Sequence, residues 1–73
     1  MRFVFANVSD GKVEEAKNLI RRNDGKMGNG IFSISGVKGR YVKEGDVLTV
    51  HIDDKPWLAS WGMIERKLRD FFG

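Results

Sequence analysis

The sequence predicts an α+β domain, a small antiparallel sheet with two helices packed on one face, in the order β-α-β-β-β-α. Three observations carry the prediction. Residues 31–53 alternate apolar and polar side chains between glycine-bearing breaks, residues 9–25 and the segment from about 56 onward each carry an apolar stripe at helical spacing, and residues 2–8 are rich in aromatic and β-branched side chains. The 73 residues form one domain, 1–73, with no repeat or linker. A domain of this size buries only about 60% of the surface its unfolded chain exposes. Without cysteine it has neither a disulfide nor a thiolate-bound zinc to supplement the core, so each large apolar side chain counts.

In the first strand, Phe3 and Phe5 are expected to face inward. The first helix has Ser9 or Asp10 as N-cap, Glu14 and Glu15 in an early turn, Arg21 and Arg22 late, and Gly25 as its stop. Val13, Ala16 and Ile20, with Leu19 beside them, form its apolar stripe. The run 24–30, "DGKMGNG", reads as a connection with no element of its own. Three strands then follow at 31–36, 38–44 and 47–53 as an antiparallel meander. Phe32, Ile34, Leu48, Val50 and Ile52 supply its core side, with Ser33, Ser35, Thr49, His51 and Asp53 on the polar side.

The last helix is predicted from about Pro56, because Asp54 can cap it and proline is tolerated in a first turn. Trp57, Trp61, Ile64, Leu68 and Phe71 then recur at spacings of four, three, four and three, which makes both indoles core filler facing the sheet. Glu65 with Arg69, and Arg66 with Asp70, form i,i+4 pairs on the exposed side.

Little in the chain resembles catalytic chemistry. "DGKMGNG" lacks the Gly-Lys-Ser/Thr of a phosphate loop, and its glycines follow a helix where a dinucleotide fingerprint would follow a strand. His51 is the only histidine, so with no cysteine a transition-metal site would have to be assembled between subunits. Asp53 and Asp54 are neighbours in an extended segment and point to opposite sides, and no serine sits in a nucleophile-elbow context. No enzyme, cofactor or metal is therefore expected.

What remains is a binding or interaction module. An apolar ligand or a protein partner would use the crevice and rim around Trp57, Trp61, Phe71 and Phe72. The alternative is nucleic acid, bound through Arg21, Arg22, Lys26, Lys38, Arg40 and Lys43. The net charge of +3, from 13 basic and 10 acidic residues, permits this without requiring it. From residue 12 onward the α-β-β-β-α order is that of double-stranded RNA-binding domains, but "PWLASWG" stands where those domains carry a lysine-rich helix start. An open sheet edge, or the terminal "FFG", makes a homodimer a further expectation. No run reaches the roughly 20 apolar residues of a membrane span, and "MRFVFANVSD" lacks the apolar run of a secretory signal, so a cytoplasmic location is expected.

The stretch "GVKGRYVKEGDVLTVHID", followed by "PWL" and "IERKLRDFF", resembles the small polyhydroxyalkanoic-acid-system proteins. They share a Gly-Val-x-Gly turn, a short charged hairpin, an alternating strand and a closing helix with an Ile-Glu pair. The resemblance covers residues 36–72 and implies a granule- or lipid-associated accessory protein, with no catalytic residue to carry over. The first helix is shorter here than in that family.

Overall fold

A computed structural model describes the whole chain, residues 1–73. The elements are β1 (Arg2–Phe5), α1 (Asp10–Arg22), β2 (Lys26–Gly28), β3 (Ile31–Ile34), β4 (Val37–Glu44), β5 (Val47–Asp54) and α2 (Trp61–Phe72). This is the expected α+β architecture with one further short strand, β2. The strands form a single antiparallel sheet in the order β1-β5-β4-β3-β2. The chain starts at one edge, crosses to the other through α1, and returns strand by strand.

Three consecutive two-residue turns make that return. Asn29-Gly30 and Ser35-Gly36 have positive φ at both positions, and Gly45 has it at the first position of the Gly45-Asp46 turn. These are the backbone twists that match a right-handed strand pair. The Ser35-Gly36 turn ends β3 at Ile34, two residues earlier than expected. Asn29-Gly30 makes β2 and β3 a hairpin, with Met27 across from Phe32. The run 24–30 is thus not a bare connection, since its Met27 is buried in the core.

The inward face of the sheet carries Phe3, Phe5, Leu48, Val50 and Ile52, which with Val8 form the main buried cluster. Val13 of α1 and Trp61, Ile64, Leu68 and Phe72 of α2 pack against that cluster, so both helices lie on the same face. Phe3 and Phe5 face inward as expected. On α1 the Ser9 hydroxyl accepts from the Lys12 amide at 3.1 Å, making Ser9 the N-cap. At the other end Asn23 caps the helix and Asp24 takes the left-handed conformation. Gly25 is needed for another reason: a β-carbon there would lie 2.6 Å from Ile20 Cγ2 and 2.7 Å from the Ser33 carbonyl oxygen.

The C-terminal helix corrects the expected boundary. It starts at Trp61, and the N-cap is Ser60, whose hydroxyl accepts from the Met63 amide at 3.1 Å; Asp54 is still in β5. Residues 55–60 carry the chain from the end of β5 to the helix layer, through a turn in which the Ala59 amide donates to the Pro56 carbonyl at 3.0 Å. Trp57 sits in this turn, so it is not the core filler expected of it and stands 87% exposed. Trp61, on the helix proper, is half-buried against the core. Glu65 accepts from Arg69 at 2.8 Å, whereas Arg66 and Asp70 form no ion pair.

Candidate ligand-binding groove

The stripes on the two helices are too short to cover the inner sheet face completely. Between α1 and α2 they leave a groove of about 530 Å³ with twelve lining residues, ten of them hydrophobic. Leu19 and Ile20 form the α1 wall, Ile64, Leu68, Phe71 and Phe72 the α2 wall, and Phe32, Ile34, Val37 and Ile52 the sheet floor. The polar members are Lys67 and Asp70, both exposed side chains of α2 at the mouth. No salt bridge engages either of them.

An aromatic cluster fixes the α2 wall. The Phe72 ring stacks at a tilt on Phe5, with centroids 5.6 Å apart, and meets Phe71 edge-on at 5.0 Å. Lys12 of α1 lies over the Phe71 ring with Nζ 4.3 Å from the centroid, a cation–π contact that joins the two helices. Arg69 caps the Phe5 ring at 5.7 Å. Phe71 and Phe72 are therefore held in place as groove lining.

The four residues expected to make one apolar surface divide into two groups. Phe71 and Phe72 line the groove, while Trp57 and Trp61 lie at the opposite end of the last segment and line none of it. Lys55 ties that end together. Its Nζ donates to the Ala59 carbonyl at 2.6 Å and sits 5.4 Å from the Trp61 ring centroid. The other ten lining residues were missed from the sequence, among them the apolar Leu19, Ile34 and Ile64. Each of these three belongs to a stripe or strand already assigned to core, and only the spacing of the helices shows that the stripes leave a gap.

The six basic residues proposed for nucleic acid do not form one patch. Lys26, Lys38 and Arg40 lie on the helix-free face of the sheet, where the cross-strand row Arg2, His51, Arg40 and Ile31 also runs. Arg21 and Arg22 are at the end of α1. Lys43 points to the helix side, where its Nζ bonds Asp10 at 2.7 Å and also reaches the Gly45 carbonyl. The Lys43 hydrogen bond, aided by its charge, holds the Asp10 carboxyl below its usual range.

On the open face Arg40 grips Asp53 with two bonds, Nε to Oδ2 at 2.9 Å and NH2 to Oδ1 at 2.8 Å. This hydrogen bonding depresses the Asp53 carboxyl and raises the guanidinium. Arg40 is thus already engaged. No group of three or more His, Cys, Asp or Glu side chains gathers as a metal site would require. No helix is long and apolar enough to cross a membrane. Compared with protein-family models, with curated proteins and with solved structures, the chain matches none.

Proposed function

We propose that this protein is a non-enzymatic, cytoplasmic binding module that takes an elongated apolar small molecule in the groove between α1 and α2. The observation that carries the reading is the groove itself. A domain with so little core leaves ten hydrophobic side chains around about 530 Å³ of open space, within the roughly 300–1,000 Å³ of typical small-molecule sites. Filling it would bury apolar surface worth about 25 cal/mol per Å². Lys67 and Asp70 at the mouth supply the few polar groups that orient such a ligand. The resemblance of residues 36–72 to polyhydroxyalkanoic-acid-system proteins agrees with a lipid-like ligand.

Methyl NMR tests this. On titration with a medium-chain fatty acid or the matching alcohol, the methyl signals of Leu19, Ile20, Ile34, Ile64 and Leu68 should shift together. Signals that stay fixed with both compounds, or shifts confined to other methyls, would refute the reading. The nucleic-acid alternative draws on the placement of Lys26, Lys38 and Arg40 on one open face. A gel shift at low salt that fades steeply as salt rises would favour it.

A further inference from the structure

The most exposed large apolar side chains in the molecule are Trp57, at 87%, and Leu58, at 76%. They are neighbours at the tip of one turn, and neither lines the groove. The turn is braced from within: the Ala59 amide bonds the Pro56 carbonyl, and Lys55 Nζ bonds the Ala59 carbonyl. Pro56 also abuts Gly36, where a β-carbon would lie 2.9 Å from Pro56 Cγ. The two side chains are therefore presented outward on a fixed base, and ordering them on binding costs little entropy. Met63, also exposed, follows in the first turn of α2.

We infer that the Trp57–Leu58 tip inserts into the interfacial zone of a lipid bilayer carrying anionic headgroups. Shape favours a bilayer over a protein. An aromatic side chain offers about 150–250 Å², so a Trp–Leu tip falls well short of the roughly 800 Å² per partner of a stable protein interface. A bilayer needs no complementary pocket, and tryptophan is enriched at the headgroup level because its ring is apolar and its N–H is polar. Charge agrees. The ten residues from Lys55 to Ile64 that bear the tip include no acidic side chain, and Lys55 places a cation at its base.

The test is co-sedimentation of the full chain with phosphatidylcholine vesicles containing phosphatidylglycerol. The comparison is a Trp57→Ser, Leu58→Ser double variant, which should keep its fold because both side chains are exposed; circular dichroism checks that. The wild type should partition onto the vesicles and the double variant about tenfold less or weaker. In a Trp61→Phe chain the remaining Trp57 emission should shift to the blue when vesicles are added. Failure of the wild type to partition, or equal partitioning of the double variant, would overturn the inference. So would a concentration-dependent dimer that the double variant abolishes, since the tip would then belong to a second copy. Groove-directed titrations leave Trp57 untouched, so the two proposals fail separately.

Discussion

Phe32 lies directly across the β3–β4 pair from Gly39, and its ring occupies the space a side chain on Gly39 would need. A β-carbon there would sit 2.7 Å from Phe32 Cζ and would also run into the His51 carbonyl oxygen. Gly39 is buried beside the irregularity in the β4–β5 register. The pair lets an aromatic ring lie flat on the sheet floor beneath the groove. Gly39→Ala should therefore destabilise the fold by about 2–3 kcal/mol through overpacking. Urea denaturation checks this, and an unchanged midpoint would contradict the packing described.

The two tryptophans should behave oppositely. Trp57→Ser removes a side chain with little to lose, and its stability should stay within about 0.5 kcal/mol of wild type. Trp61→Ala removes a ring packed on the core cluster and should cost about 2 kcal/mol. Acrylamide should quench Trp57 far more readily than Trp61, measured in the single-tryptophan variants.

Ser60, and not Asp54, stops the first turn of α2 from fraying. Ser60→Ala should cost about 1 kcal/mol. Asp54→Ala should fall within about 0.5 kcal/mol of wild type, as a surface change away from any cap does. Thermal melts of the two variants side by side decide the helix start without a structure.

The Arg40–Asp53 contact predicts an acid-side signature. The Asp53 pKa is lowered on folding, by the Arg40 hydrogen bond first. Its contribution to stability is thus present above the unfolded-state value of about 3.9 and is lost as pH falls through the folded value. In Arg40→Gln the Asp53 carboxyl should titrate closer to its usual range by NMR. The melting temperature of that variant should fall less between about pH 4 and strong acid than that of wild type. The effect should be small, because both groups are at the surface and screened.

Much of this architecture was legible in the sequence because period-two and period-3.6 patterns report burial directly. Leu48, Val50 and Ile52 could face only one way, and Val13 and Ala16 marked the inner side of α1. Two features were not legible for physical reasons. The three residues of β2 include a lysine and a glycine, and only Met27 reaches the core, so no alternation exists to read. Its one local sign was Asn29-Gly30, a strong hairpin turn pair. The start of α2 was misplaced at about Pro56 because Asp54 is a good cap residue and Trp57 and Trp61 satisfy helical spacing; Ser60, an equally good cap residue, was passed over. The need to cross from the sheet to the helix layer decided between the two caps. For the groove, the end of the stripe at Phe71 and Phe72 was visible, but its far wall at Leu19 and its floor at Ile34 depended on how far apart the helices settle.

The pairing of β1 with β5 has a consequence for biosynthesis. The meander from Lys26 to Asp54 can zip up turn by turn as it leaves the ribosome, because each strand meets its neighbour across two residues. The opening strand has no such neighbour. At about 5–20 residues per second, Phe3 and Phe5 wait seconds for Val50 and Leu48 to be translated. During that interval the apolar side chains of β1 are without the strand that later covers their backbone edge.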